Sequence, residues 1–305
     1  MSDATKEAER LAIAGVRALD DGVLRVRGED ARTWLNGQIT NDVRSTRPGD
    51  AVYALVLDGR GKILADVWAL DRGDDFVLLV PGGTVEALRT HFEKYIVMED
   101  VELDVLDLAV VSVQGARAAQ IADGHPCDRL GLGGRDVLVD PADREATLAR
   151  LVAAAEALGG GAVGEPGWEL ARLRAGRPRF GLDFGPANYP QEAGLKHLAV
   201  SFTKGCYLGQ EVVCTLENRG QLSRRLVRLE GAAARPGAEL ADADKVVGNV
   251  TSAVYDPERG AMLALGYVKR AAASPGVRLA SDAGALTVTG IAGEPSAGHA
   301  EGGAL

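Results

Sequence analysis

Cysteine and histidine are scarce in this chain of 305 residues. Three cysteines (Cys127, Cys206 and Cys214) form an odd number without a CxxC pair, which argues against a disulfide framework and predicts a reducing, cytoplasmic compartment. The four histidines are far apart, so no three or four metal ligands share a recognisable spacing. An iron–sulfur cluster usually takes about four thiolates, which this chain does not have. The sequence therefore predicts no metal site of its own.

Long apolar runs and excess positive charge are also missing. No stretch of about 18 apolar residues is present, and the polar N-terminus lacks the apolar core of a signal peptide, so we expect no membrane association. Lysine and arginine number 34 against 43 acidic residues, and a net charge of −9 disfavours general nucleic-acid binding. The sequence also lacks the GK[ST] phosphate loop and the GxSxG nucleophile elbow. With 46% hydrophobic residues the chain is typical of a globular protein.

The order of apolar patterns predicts an α+β region followed by a β module. Residues 1–15 are expected to form a flexible N-terminus and residues 16–220 an α+β region of two intertwined subdomains. Short strands separated by Gly, Pro and Asp predict a small barrel or sandwich over residues 221–292. Residues 293–305 are rich in small and polar residues, which is typical of a disordered tail.

Local signals place several elements within the first region. Two alternating stretches, 51–57 and 62–70, are joined by Asp-Gly-Arg-Gly and predict a β-hairpin. Asp140 followed by Pro141 predicts the start of a helix. Asp30 and Thr84 are predicted to cap two further helices with their side chains.

Four arginines (Arg172, Arg174, Arg177 and Arg179) lie within eight residues of an otherwise acidic chain. Such a cluster can bind a carboxylate or phosphate tail, for which Arg172 and Arg174 are the candidates. A solvated helix face followed by a loop explains the same residues without any ligand, and this second interpretation stays open.

Residues 203–211 read Thr-Lys-Gly-Cys-Tyr-Leu-Gly-Gln-Glu and are the sharpest feature of the sequence. With a helix predicted over 205–216, Cys206 would lie at a helix N-terminus beside Lys204, where a thiol loses its proton more readily. Gln210 would then lie beside the sulfur, one helical turn away. A nucleophilic, redox-active or metal-handling cysteine needs such surroundings. A lone cysteine is as often a small buried apolar residue, so both interpretations remain.

This motif resembles the signature of the YgfZ family, the folate-binding relatives of the glycine-cleavage T protein. All positions of that signature, K-G-C-[FY]-x-G-Q-E, match. The matching residues are Lys204, Gly205, Cys206, Tyr207, Gly209, Gln210 and Glu211. Further segments similar to the family are 25–43, 54–70, 168–195 and 246–270.

The resemblance implies a three-part, clover-like fold around a central folate site, with a C-terminal β-barrel. It implies tetrahydrofolate or a derivative as the ligand. It also implies an accessory role in the assembly or repair of iron–sulfur clusters. The partners would then be iron–sulfur client proteins, including radical enzymes that modify tRNA. We expect a monomer, since the chain has no coiled-coil or repeat pattern.

Comparison with the family's motifs also assigns candidate site residues. Asp66 matches the second of two adjacent acids in T proteins, where it would orient or exchange protons with a bound pteridine, although it is also typical of a polar strand end. Tyr53, Glu192 and Lys204 are the other predicted folate contacts. Cys206 and Asp66 are the predicted reactive groups.

The chain also departs from the T proteins. Ala65 replaces the first acid, Cys206 and Gln210 replace an apolar residue and a lysine, and Trp168 stands where T proteins have an arginine. These departures favour an accessory role. Aminomethyl transfer in glycine cleavage is the alternative, and a protein of the same fold that binds only protein partners is a third.

Overall fold

The computed structural model describes residues 3–218 and 222–294. The helices are α1 (Asp3–Ile13), α2 (Ala31–Gln38), α3 (Val85–Glu93), α4 (Ala118–Ile121), α5 (Arg144–Glu156), α6 (Glu165–Ala175), α7 (Lys196–Ala199) and α8 (Gln210–Asn218). The strands are β1 (Gly15–Leu19), β2 (Gly22–Arg27), β3 (Ala51–Leu57), β4 (Ile63–Asp71), β5 (Asp75–Val80), β6 (Glu102–Leu106), β7 (Ala109–Gln114), β8 (Gly134–Val139), β9 (Gly161–Ala162), β10 (Arg224–Gly231), β11 (Glu239–Asp242), β12 (Lys245–Asp256), β13 (Ala261–Lys269), β14 (Arg278–Ser281) and β15 (Gly284–Ile291).

Three sheets form the three parts of the molecule. The first has five strands in the order β3-β4-β5-β2-β6, and the second has four in the order β8-β7-β1-β9. The third is a closed barrel of six strands in the order β10-β13-β12-β11-β14-β15. This architecture confirms the predicted α+β class and the C-terminal β-barrel.

The two open sheets pack on each other, and helices cover their outer faces. Helices α2 and α3 cover one face of the five-stranded sheet, where Trp34 and Phe92 pack edge to face with ring centroids 5.4 Å apart. The opposite face packs on the four-stranded sheet through residues such as Val77 and Val110. Helix α5 covers the far side of the four-stranded sheet with Leu151. The central cavity lies where the first two sheets meet helix α6.

Helix α6 joins the second sheet to the barrel. Leu173 packs against barrel residues including Leu226 and Leu265. On the same helix, Arg174 donates two hydrogen bonds to Asp256 of β12, at 2.8 and 2.6 Å. The Asp256 carboxylate is fully buried, so this pair fixes the barrel against the rest of the fold.

The N-terminal segment differs from the expected flexible start. Residues 3–13 form helix α1, which buries Leu11 completely against a cluster that includes Val163 and Trp168. The partner of α1 is helix α6, which Glu7 contacts across 160 positions of the sequence, so no local pattern reveals it. The expected disordered tail falls almost entirely on residues 295–305, outside the described part of the chain.

Two of the three predicted helix starts use other contacts. The side chain of Asp140 caps its turn by accepting from the backbone N–H of Ala142, as predicted. Asp30 makes no cap hydrogen bond, because its carboxylate accepts from the N–H of Asp100 across the sheet edge. Thr84 likewise makes none, since its hydroxyl donates to the carbonyl of Pro81. Asp and Thr side chains can bond either the first turn of a helix or another nearby backbone group, and the surrounding fold determines which of the two they bond.

Candidate active site in the central cavity

A cavity of about 390 Å³ opens between the two sheets and helix α6. This volume is in the range of small-molecule sites. Its walls come from four stretches of the chain: the β1–β2 turn, strands β3 to β5, the loop 128–130, and residues 165–198. The aromatic lining residues are Tyr53, Trp68, Trp168 and Phe180, and the charged ones are Arg17, Asp20, Asp21, Asp66, Asp128, Arg129, Glu165, Arg172, Arg177 and Arg179.

Tyr53 and Asp66 form a hydrogen-bonded pair on one face of the β3–β4 hairpin. In the antiparallel register Tyr53 lies opposite Trp68, and Leu55 opposite Asp66. Because side chains alternate along a strand, these four residues share a face. The hydroxyl of Tyr53 donates to Oδ2 of Asp66 at 2.8 Å, and the Tyr53 and Trp68 rings have centroids 5.2 Å apart. Two predicted ligand contacts are thus brought together.

The Asp66 carboxylate is buried and half satisfied. Within the described residues its second oxygen, Oδ1, has no hydrogen-bond partner. The pKa of Asp66 is raised to about 6, chiefly by burial and in part by the nearby charge of Asp21, while the hydrogen bond from Tyr53 opposes the rise. Burial and the Asp66 charge hold the pKa of Tyr53 well above its ordinary value, so its hydroxyl stays a donor. Such a carboxyl can take up or release a proton near neutral pH.

A buried ion-pair network forms one side of the cavity. Arg129 donates to Asp21 at 2.5 Å and to Asp136 at 2.7 Å. Burial raises the pKa of Asp21, and the Arg129 charge opposes this rise. The second carboxylate near Asp66 is that of Asp21, and its charge is compensated by the Arg129 guanidinium.

The predicted arginine cluster is divided among several partners. Arg172 lines the cavity, but Glu169 and Asp183 bind its guanidinium at 2.6 Å each. Arg174 points to the barrel, as described above, and Arg179 pairs with Glu165 at 2.5 Å. The two candidates for anion binding, Arg172 and Arg174, are thus both held by internal carboxylates, which favours a structural role for them.

Glu192 and Lys204, two further predicted folate contacts, lie outside the cavity lining. Glu192 is buried, accepts a hydrogen bond from the N–H of Tyr189 at 3.2 Å and lies 3.6 Å from Arg224 of β10. It therefore connects the segment before α7 to the barrel. The Lys204 ammonium donates to the carbonyls of Asn36, Ile39 and Asn41, at 2.6 to 2.7 Å.

The KGCYLGQE motif, residues 204–211, contacts both the β3–β4 hairpin and the end of α2, and its cysteine is exposed. Tyr207 is buried among the residues that pack under the hairpin. Gly209 has φ +81° and lies against the hairpin turn, where a Cβ would come within 2.6 Å of the Asp58 carbonyl. Cys206 itself is exposed and does not line the cavity. The motif thus joins the hairpin to the end of α2 and presents a thiol on the surface.

The predicted helix over 205–216 begins five residues later than expected. Helix α8 starts at Gln210, so Cys206 lies in the preceding loop and not at a helix N-terminus. Cys206 and Gln210 consequently do not share a helical face. Gly205 and Gly209 favour an irregular path, and the hydrogen bonds of Lys204 to three carbonyls hold the segment against the end of α2. The predicted activation of Cys206 by Lys204 loses its geometric basis, since that ammonium is directed at backbone carbonyls.

Sequence reasoning missed several residues of the cavity. Trp68 follows Asp66 by two positions, so the alternation along the strand was the signal that could have placed it on the same face. Asp21 and Arg129 carry no such signal, because they meet across 108 positions. In residues 3–218 and 222–294 no group of three His, Cys, Asp or Glu side chains could hold a metal ion. No helix in the same ranges is long and apolar enough to cross a membrane.

Comparison with known proteins gives consistent matches along the chain. Residues 9–126 match the family model of the GCVT N-terminal domain, and residues 224–289 match the glycine cleavage T-protein C-terminal barrel domain. An aminomethyltransferase from Corynebacterium jeikeium is 27% identical over 84% of this chain and 78% of its own length. The tRNA-modifying protein YgfZ from Vibrio vulnificus is 26% identical over 75% of this chain and 76% of its own.

A solved structure agrees with the fold. The crystal structure of the glycine cleavage system aminomethyltransferase T from Bartonella henselae superposes with a TM-score of 0.82. It covers 93% of this chain and 88% of its own, at 23% identity. The two domain matches, the YgfZ-named relatives and the cavity between the sheets lead to one conclusion: the chain belongs to the YgfZ/T-protein family.

Proposed function

We propose that this chain binds tetrahydrofolate or a derivative in the central cavity and acts in the cytoplasm as an accessory protein for iron–sulfur cluster assembly or repair. Its clients would include radical enzymes that modify tRNA. The observation that carries the folate proposal is the Asp66 carboxylate, which lines a cavity with aromatic walls and has one buried oxygen without a hydrogen-bond partner among the described residues.

The residues present fit a reduced pteridine. A pteridine is flat and carries several N–H donors, and the free Oδ1 of Asp66 is an acceptor that needs one. Trp68 and Tyr53 offer aromatic surface for the ring, and the cavity has room for a ligand of this class. When bound, the folate would supply one-carbon chemistry. The chain would orient its ring with Asp66, hold a proton at that carboxyl and restrict access of water.

The accessory role is supported by the motif and by the relatives. Cys206 is an exposed thiol on a loop whose neighbours on both sides are fixed, so a partner protein can reach it. Relatives named tRNA-modifying protein YgfZ cover about three quarters of the chain.

The folate proposal is tested by calorimetric titration with tetrahydrofolate. We expect micromolar binding by the wild type and at least tenfold weaker binding by Asp66→Ala, because the ligand loses a buried acceptor. Asp107→Ala, an exposed acid at the end of β6, is the matched control and should bind like the wild type. The absence of any binding by the wild type would contradict the proposal and leave a protein that binds only protein partners.

The cysteine is tested separately by complementation. Variants are expressed in cells that lack this protein, and the activity of an iron–sulfur enzyme in those cells is measured. Cys206→Ala should fail to complement while it binds tetrahydrofolate normally. Cys214→Ala, which alters a half-buried thiol of α8, is the control and should complement. Full complementation by Cys206→Ala would remove the cysteine from the proposed function.

Aminomethyl transfer is the second candidate, favoured by one observation. The pKa of Asp66 near 6 suits a group that must exchange protons at neutral pH. A transferase of this kind takes the aminomethyl group from a lipoyl carrier protein and releases ammonia and methylene-tetrahydrofolate. Incubation of the protein with aminomethylated carrier and tetrahydrofolate decides between the two, since only the transferase forms ammonia above background.

A further inference from the structure

Five arginines line the central cavity, and four of them are already paired. Each of the four makes at least one ion pair with a carboxylate of the same chain. The pairs are Arg17 with Glu165, Arg129 with Asp21 and Asp136, Arg172 with Glu169 and Asp183, and Arg179 with Glu165 and Glu169. Arg177 differs from them. Its guanidinium has no ion pair and no hydrogen bond to any residue in 3–218 or 222–294.

The backbone of Arg177 is firmly held. Gly176 ends α6 in the left-handed conformation, with φ +65°, and so turns the chain toward the cavity. The N–H of Arg177 donates to the carbonyl of Arg172 at 3.0 Å, and the Arg177 carbonyl accepts from the Arg172 guanidinium at 2.8 Å. These contacts fix the backbone from which the Arg177 side chain extends to the cavity wall.

The guanidinium lies against the loop at Gly131 and lines the same cavity as Tyr53 and Asp66. A Cβ on Gly131 would approach Nη2 of Arg177 to 3.1 Å, so the glycine leaves room for the guanidinium against the backbone. The charge of Arg177 also lowers the pKa of Tyr53, against the stronger effects of burial and of Asp66, so its field reaches the pair. The cavity thus has a free acceptor at Asp66 and a free cation at Arg177.

We propose that Arg177 binds a carboxylate of the ligand, so that the cavity recognises a molecule with an N–H donor at one end and a carboxylate at the other. This inference rests on the proposed function and deepens it, since the ligand carboxylate would be that of the glutamate of tetrahydrofolate. A planar guanidinium can bind a carboxylate through two parallel hydrogen bonds, and hydrogen bonds between charged groups are the stronger ones. A half-buried cation without a counter-ion gains most from such a ligand.

Titration with three probes tests the proposal. The probes are tetrahydrofolate, 6-methyltetrahydropterin, which lacks the aminobenzoylglutamate, and p-aminobenzoylglutamate, which lacks the pteridine. We expect Arg177→Gln to weaken binding of tetrahydrofolate and p-aminobenzoylglutamate about 10- to 100-fold, and to leave 6-methyltetrahydropterin unchanged. Arg150→Gln, which removes an exposed arginine of α5 outside the cavity, is the matched control and should alter none of the three.

The outcomes separate this proposal from the proposed function. Equal tetrahydrofolate affinity of Arg177→Gln and the wild type would overturn the role of Arg177 and leave folate binding intact. Binding of none of the three probes by the wild type would overturn both. Loss of affinity for 6-methyltetrahydropterin in Arg177→Gln would also contradict the proposal, because it would assign Arg177 to the pteridine or to the folding of the cavity. Thermal unfolding of both variants checks that the fold is retained.

Discussion

The hydroxyl of Tyr53 donates to one oxygen of Asp66 at 2.8 Å, while the other oxygen of the same carboxylate has no partner among residues 3–218 and 222–294. This asymmetry costs the folded protein stability, because a buried acceptor is left unpaired. The same oxygen can accept a hydrogen bond from a ligand. The loss of folding stability at Asp66 can therefore be measured and compared with ligand binding at the same residue.

Asp66→Asn should make the protein more stable at neutral pH. The folded-state pKa of Asp66 is raised from 3.8 to about 6, so the folded protein binds more protons than the unfolded chain between these two values. Stability from this group is therefore fully present below about pH 4 and lost as the pH rises through 6. Urea denaturation should show Asp66→Asn about 1–3 kcal/mol more stable than the wild type at pH 7.5.

At pH 4 the same comparison should show little difference. The stabilised variant should nonetheless bind tetrahydrofolate more weakly, as expected where a functional group is maintained at a cost to stability. Lower stability of Asp66→Asn at pH 7.5 would mean that the carboxylate is chiefly structural.

Tyr53→Phe should raise the pKa of Asp66 further, since the hydrogen bond that favours the charged carboxylate is lost. Ligand affinity that depends on the charged form of Asp66 should increase as the pH rises through about 6 in the wild type. In Tyr53→Phe this increase should move to higher pH. Titrations with tetrahydrofolate from pH 5 to pH 8 measure both profiles, and two profiles with the same midpoint would argue against the coupling.

Lys204→Met should destabilise the protein although Lys204 does not line the cavity. Burial lowers the pKa of Lys204 to about 8, so the ammonium is the major form at neutral pH and serves three backbone carbonyls. Leaving these acceptors unpaired should lower the free energy of unfolding by about 2–4 kcal/mol. Lys196→Met is the control, because its partner Glu217 lies on the surface and such pairs contribute about 0–1 kcal/mol. Equal stability of the two variants in urea would show that the carbonyls find other donors.

Arg174→Met should loosen the barrel from helix α6. The substitution leaves the Asp256 carboxylate fully buried without its bidentate partner, which should cost about 3–5 kcal/mol. Arg259→Met is the control, since Arg259 is half exposed and its contacts with Asp256 and Glu230 are longer, at 3.5 and 3.3 Å. Hydrogen exchange in β12 should rise in Arg174→Met and stay near the wild-type rate in Arg259→Met.

Much of the cavity's hairpin could be predicted from the sequence. Alternation along β3 and β4 and the Asp-Gly-Arg-Gly turn fix the register, and the register places Tyr53, Asp66 and Trp68 on one face. Short strands over residues 221–292 also predicted the region in which the six-stranded barrel forms. These features depend on contacts between near neighbours in the sequence, for which local composition is sufficient.

The amino-acid sequence by itself determined the α+β class, the hairpin and the run of strands that closes the barrel. The tertiary structure alone decided which charged side chains meet partners far away in the sequence, such as Arg174 with Asp256 and Arg129 with Asp21. Four arginines look alike in the sequence, namely Arg172, Arg174, Arg177 and Arg179. The first two and the last meet carboxylates, whereas Arg177 lines the cavity and has no ion pair within the described part of the chain. The physical reason is that an ion pair forms between groups close in space, and their separation along the chain, 82 positions for Arg174 and Asp256, leaves no local pattern.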